Sequence, residues 1–315
     1  MTDRSIPLPP RTVARRDFVR ASVGVAALGA GLAGSGPVLA QAGPPSSPAP
    51  QATAKPGRVT VERLKGGILV IGFERVEAQN RLDPTMLLSI GKAYYQLDHD
   101  DELRVGVLHG LGPDFSLGGD GPALAAATAA GTFPPKDPDW LNPFNFAPSP
   151  LRAKPVVVAA QGGTKFGGHE LFLAADIRVA ASDTVFGQAE VTRGVFAWGG
   201  ATVRFVREAG WGNAMRYLLT GDEWGPDEAR RLGLVQEITP PGQQLDRATE
   251  LAQKIAAAAP LGVRATLASA HQALSGEEAA FAALPAAFAR LAQSEDAKEA
   301  RRALQEKRAP VYRGI

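Results

Sequence analysis

Two spacings of apolar residues divide the chain. Short β-branched or apolar runs, bounded by Gly, Pro or charge, occupy residues 59–64, 68–73, 105–109, 156–160, 177–180 and 235–238 and predict strands. Stretches between them predict helices at 83–98, 168–174, 199–206, 213–219 and 227–232. The first opens on Asp83-Pro84, an acidic cap followed by a proline in the first turn. From Leu245 the chain reads as almost continuous helix, with segments at 245–258, 261–274, 277–291 and 296–307. Alternating strands and helices followed by a helical tail predict an α/β core with a C-terminal helical layer. Residues 131–150 are full of proline with aromatics interspersed, and predict a long ordered loop or lid.

The first forty residues follow a different pattern. A basic start leads into an Ala/Gly/Leu/Val run at 21–33 and then into small residues, the layout of a secretory signal. Arg15-Arg16, followed by Asp17-Phe18-Val19, resembles a twin-arginine export signal, with cleavage expected after Ala40 or Ala42. A membrane anchor is the alternative, but the run falls short of the ~20 residues that span a bilayer. Gly29, Gly31 and Gly34 match the dinucleotide fingerprint, yet no strand precedes them and no helix follows, so no cofactor is expected there. The expected organisation is a signal peptide at 1–40, a Pro/Ser/Ala-rich flexible linker at 41–57, an α/β core at 58–244 and a helical region at 245–315. The expected location is the periplasm, with the cytoplasm as the alternative.

Composition narrows the function. A chain of 315 residues with 45% hydrophobic residues is globular rather than disordered. Its 34 basic and 32 acidic residues carry no large basic excess, which argues against a nucleic-acid partner. Five of the arginines lie in residues 1–40. The absence of cysteine excludes disulfides, thiolate nucleophiles and Cys-ligated metal centres. His169-Glu170 opens like a zinc-binding helix, but Leu173 stands where the second histidine is needed, so no metal is expected. His99, His109 and His271 lie in ordinary helix or strand contexts. A nucleophile elbow and a P-loop are both absent. No cofactor is expected, nor stable membrane insertion once the leader is removed.

Two glycine-rich stretches follow predicted strands, at 109–120 and at 161–170. Strand-to-helix junctions of this kind expose backbone N–H groups, and two of them can converge on one developing oxyanion. Further along come Gly167-Gly168-His169-Glu170-Leu171, Asp176-Ile177-Arg178-Val179-Ala180 and Phe186-Gly187-Gln188-Ala189-Glu190-Val191. Gly199 to Phe205, Leu219 to Asp222, Glu228 to Val235 and Glu306 to Pro310 complete the series, with Phe115-Ser116-Leu117-Gly118-Gly119-Asp120 before it. Together, over residues 58–315, these motifs resemble the crotonase (enoyl-CoA hydratase/isomerase) superfamily.

The resemblance implies a crotonase-like ββα superhelical core whose C-terminal helices mediate a homotrimer or hexamer. It implies an oxyanion hole from the amides of Leu117 and Gly167, and two catalytic glutamates, Glu170 and Glu190, twenty residues apart. Ala78, Gly118, Asp120, Trp140, Phe144 and Trp198 are the implied substrate-binding residues, and an acyl-CoA thioester the implied ligand. Gln79 stands where the family commonly places a basic residue toward the CoA phosphates, with Arg81 nearby, and Ala197-Trp198 replaces a Pro-Gly turn. Hydration of a 2-enoyl thioester needs water at C3, a proton at C2 and support for an enolate-like oxygen, and a carboxylate pair sharing one water can move both protons. A double-bond isomerase, which can work with one carboxylate, stays open. So do a CoA-independent carbon–carbon hydrolase of a cyclic β-diketone and a secreted binding protein without catalysis. The rings of Trp140, Phe144, Phe146 and Trp198 point to a bulky or aromatic acyl group.

Overall fold

The computed structural model describes residues 55–315. The leader expected at 1–40, its glycine run and most of the expected linker lie outside the described residues.

The main sheet has six strands. β1 (Arg58–Leu64) and β2 (Ile68–Glu74) form an antiparallel hairpin. β2, β3 (Val105–Gly110), β4 (Val156–Ala160), β6 (Ile177–Ala181) and β9 (Glu237–Thr239) then run parallel, in that spatial order. Both faces are covered, as parallel sheets require. Alternation along β4 shows how: Val156, Val158 and Ala160 enter one apolar cluster, while Val157 and Ala159 enter the other. The second cluster is closed by α7 (Gln244–Ala256), whose Ala248, Ala252 and Ala256 form one small-residue face against the sheet.

A second, three-stranded sheet sits at the carboxyl ends of the main strands. β4 leads into β5 (Gly163–Lys165) and then α3 (Gly167–Leu173), and β6 leads into β7 (Val185–Gly187) and a 3₁₀ turn at Glu190–Arg193. β5 and β7 pair in parallel, and β8 (Glu223–Trp224) adds antiparallel to β7. This repeated long strand, short strand and helical turn is the ββα architecture that the motifs imply, with mixed α/β content throughout.

α1 (Pro84–His99) begins where the sequence places it. Asp83 caps it by accepting from the Met86 amide at 2.7 Å, and the same carboxylate accepts from the Gly57 amide at 2.6 Å. Residues 55–57, the last of the expected linker, therefore lie against the helix start, with Lys55 O accepting from Arg75 Nε at 2.8 Å. α2 (Gly121–Ala129) was not expected. Its run GPALAAATA offers no polar–apolar periodicity, and it is set by the Asp120 cap at its start. β5, β7 and β8 also escaped, because two or three residues are too few to carry an alternation. β9 starts two residues later than expected, since Gln236 N donates to Arg178 O before the ladder with β6 begins. Between α2 and β4 the chain holds no helix or strand, in keeping with the expected loop. α4 (Ala201–Ala209), α5 (Trp211–Leu218) and α6 (Pro226–Arg231) complete the core, and α8 (Pro260–Ala273), α9 (Glu277–Ala292) and α10 (Glu295–Glu306) form the tail.

Candidate active site

The two glycine-rich loops are laced together before any chemistry is placed on them. Asp114 Oδ1 accepts from Gly163 N at 2.7 Å, Ser116 N donates to Gly163 O at 2.9 Å, and Lys165 N donates to Ser116 O at 2.9 Å. These bonds fix residues 114–119 beside β5 and the start of α3. Within that loop most amides are spent. Leu117 N donates to Gln79 O at 3.1 Å, Gly118 N to Ser116 Oγ at 3.2 Å and Asp120 N to Leu82 O at 2.9 Å.

Leu117 was expected to offer its amide as an oxyanion donor, and this needs correcting, because Gln79 O already holds that amide. The next unspent amide is that of Gly119, which has no acceptor among the described residues. It lies beside Gly167, whose amide opens α3 and likewise has no acceptor among the described residues. A Cβ on Gly167 would sit 3.4 Å from Gly119 N, so any side chain there would crowd that amide. Gly118 has φ +98, and a Cβ on it would lie 2.7 Å from Phe166 Cβ.

Glu170 stands in the first turn of α3 and is buried. Its Oε1 accepts from Ala201 N at 3.0 Å. Gly199 passes so close that a Cβ there would lie 2.6 Å from Glu170 Oε2, which accounts for the glycine. Burial pushes the Glu170 carboxyl up to about 7; the Ala201 amide opposes this and the charge of Glu190 adds to it. Glu190, half-buried at the start of its 3₁₀ turn, is also raised by burial, against its own amide and Arg193.

Behind Glu190 stands a pair of side chains that motif reading missed. With its amide nitrogen turned to Glu190, Gln188 donates to both carboxylate oxygens, at 2.8 and 2.9 Å, and its oxygen accepts from His169 Nδ1 at 3.3 Å. His169 is fully buried among Phe172, Phe186, Phe205 and Trp224, and burial drives its pKa down to about 3. It is therefore a neutral imidazole with its proton on Nδ1. The signal available in the sequence was the amide two residues before a motif glutamate.

A cavity of about 200 Å³ gathers Gly119, Gly167, Glu170 and Glu190, with the side chains of Leu117, Phe144 and Trp198 also in its wall. Arg193 reaches the same wall, its guanidinium 3.9 Å from the Phe166 ring centroid. The other expected residues fall outside this lining. Ala78 closes a 3₁₀ turn at Val76–Ala78. Asp120 caps α2 through Ala123 N at 3.1 Å and pairs with Arg75 at 2.7 Å, so its carboxylate is committed to the fold. Gly118 shapes the loop behind the cavity. Trp140 lines a neighbouring chamber and donates its indole N–H to Leu87 O at 3.2 Å. Arg81, noted near the position of Gln79, donates to Leu117 O at 2.9 Å.

The geometry has close parallels among known proteins. The model of the family described as enoyl-CoA hydratase/isomerase matches residues 63–314. The enoyl-CoA hydratase EchA19 of Mycobacterium tuberculosis is 34% identical over 270 residues, covering 83% of this chain and 98% of that protein. The (E)-benzylidenesuccinyl-CoA hydratase of Thauera aromatica is 32% identical over 264 residues, covering 81% of this chain and 99% of that protein. Among solved structures, a probable enoyl-CoA hydratase/isomerase from Mycobacterium abscessus superposes with a TM-score of 0.77 at 40% identity, covering 82% of this chain and 98% of that one.

Proposed function

The chain belongs to the enoyl-CoA hydratase/isomerase family, and from that premise we propose that it adds water across the double bond of a 2-enoyl-CoA thioester. One observation carries the proposal: two carboxyl groups with raised pKa line the same small cavity as two unspent backbone amides. In this reading the thioester oxygen accepts from Gly119 N and Gly167 N. Negative charge moves onto that oxygen as water adds, and each such donor is worth about 3–4 kcal/mol in comparable sites. Glu170 and Glu190 hold the water between them. One carboxylate takes a proton as the water oxygen bonds to C3, and the other carboxyl delivers a proton to C2. The pair must carry one proton between them, which their burial and mutual repulsion favour. Gln188 presents two N–H groups to Glu190 and aims it at the water.

Two further proposals rest on the sequence and on the outer surface. Self-association through the C-terminal helices, as a trimer or a pair of trimers, would cover the exposed rings of Phe281 and Phe288 on α9. Export through a twin-arginine route would follow from Arg15-Arg16; replacing both by lysine should then retain the chain in the cytoplasm, and an uncleaved cytoplasmic wild-type chain would overturn that proposal.

The direct test of the reaction is a turnover screen with 2-enoyl-CoA esters of several chain lengths, run beside CoA-free cyclic β-diketones. Hydration of the thioesters alone is expected. Cleavage of the diketones without thioester hydration would replace this reading with a carbon–carbon hydrolase.

A further inference from the structure

We infer that the acyl group of the substrate ends in a neutral ring system seated in a second chamber beside the glutamates, rather than in a short chain or a carboxylate. The inference rests on the thioester reading above and narrows it. The chamber measures about 580 Å³ and lies between α1 and the loop at 133–150. It shares Leu87, Phe144 and Trp198 with the glutamate cavity, so the two spaces adjoin at these three side chains. An apolar cavity of about 150 Å³ holds one benzene ring. On that scale the glutamate cavity takes the reacting carbons, and the second chamber has the volume of nearly four further rings.

The wall is apolar and already satisfied. Phe133, Trp140, Phe144, Phe146 and Trp198 line it together with six prolines. The polar lining side chains are Asp137, Asn142 and Ser149. Asn142 Oδ1 accepts from Phe144 N at 3.0 Å, Ser149 Oγ accepts from Asn142 N at 3.1 Å, and Asp137 pairs with Lys92 at 2.8 Å. Among the described residues, no arginine, lysine or histidine lines the chamber. A carboxylate at the far end of the acyl group would be desolvated without a counter-ion and would approach Asp137, which is costly. A neutral hydrocarbon meets no such penalty.

The rings are also held in place before anything binds. Trp140 is tied to Leu87 O, and its indole lies over Gly91 of α1, where a Cβ would fall 2.0 Å from Nε1. Glycine at that helix position is therefore a seat for the ring. Arg204 donates to Phe144 O at 2.7 Å and Asn145 O at 2.8 Å, fastening the loop to α4. Phe144 and Phe146 lie within 29° of parallel. A rigid wall rewards a rigid guest, because a flexible chain of equal volume would lose rotor entropy that a ring system does not have.

The test compares kcat/KM of the full-length chain for three thioesters: crotonyl-CoA, 5-(2-naphthyl)pent-2-enoyl-CoA and a six-carbon 2-enoyl-CoA ending in a carboxylate. The naphthyl ester should exceed crotonyl-CoA at least tenfold, and the carboxylate ester should fall below it. Trp140→Ala should lower the naphthyl-to-crotonyl ratio by about tenfold or more. Should that variant fail to fold, Phe133→Ala on the same chamber replaces it. A naphthyl preference below tenfold, a carboxylate ester as good as crotonyl-CoA, or a ratio unmoved by the folded variant would overturn the inference while leaving hydration intact. Failure of all three esters to be hydrated would overturn the hydration reading itself.

Discussion

At the junction of β5 and α3 the chain buries its own chemistry: Glu170 is 3% exposed and His169 0%. Along α9 the opposite holds, with Phe281 and Phe288 exposed to 68% and 73%. In the first region the neighbours that bury these side chains come from the same chain. Its glutamate is raised by desolvation, and the amides of Gly119 and Gly167, which have no acceptor among the described residues, belong to the lining of one cavity. The second region leaves large apolar side chains exposed among the described residues. The contrast separates two uses of apolar surface. Inside the junction it tunes a carboxyl group, and on the tail it stays exposed. Exposed apolar patches on stable proteins commonly mark association sites.

The sharpest way to break this contrast is at the glutamates. Glu170→Gln and Glu190→Gln keep size and remove the titratable group, so each should lower kcat for thioester hydration by about 10²–10⁴-fold. Steady-state rates on purified variants with the wild-type circular dichroism spectrum check this. The tail predicts a different failure. Replacing both Phe281 and Phe288 by glutamate should lower the mass by light scattering from a multiple of 32.9 kDa toward that of one chain. A wild-type mass already equal to one chain would remove the assembly proposal.

Stability should carry the imprint of the buried carboxyl. Glu170 lies at about 7 in the folded chain against an ordinary 4.5. Between those values the folded state binds more protons than the unfolded, so stability is full below 4.5 and falls as pH rises through 7. The cost of ionising it is on the order of 3 kcal/mol by pH 8. Glu170→Gln escapes that cost, so its melting temperature should exceed wild type at pH 8 and approach it at pH 5. A gap that does not change with pH would contradict the role of desolvation. The smallest effects expected are at two loop glycines, Gly118 and Gly66. Gly118→Ala should cost about 1–3 kcal/mol in urea unfolding. Gly66→Ala has a similar φ, +88, but open space around it, and should cost less.

Much of the fold was legible in the sequence because the long elements carry their own period. β2 and β4 are nearly continuous apolar runs, and α1 announces itself with Asp83-Pro84. The short second sheet was not legible, since its strands are held by their pairing partners rather than by any alternation. Glu170 and Glu190 were legible as a spaced pair of carboxylates in recognisable motifs. That the Leu117 amide is already held could not be read, because whether an amide is free depends on a carbonyl 38 positions away, Gln79 O against Leu117 N. Trp140 was placed correctly in the aromatic loop. Its chamber could not be read, since the indole's seat is a missing side chain on a different helix. Gln188 and His169 were hidden for a related reason: a buried polar pair gains meaning only when its partner is seen.

The central claim is that Glu170 and Glu190 act as one unit on one water. The most direct measurement is the hydration rate of the double variant Glu170→Gln/Glu190→Gln beside the two single variants. Groups that work as a unit are strongly non-additive, so the double variant should be about as slow as the slower single variant. If the two losses multiply, or if Glu190→Gln keeps wild-type hydration while Glu170→Gln abolishes it, the shared-water account is wrong and a single-base isomerase takes its place.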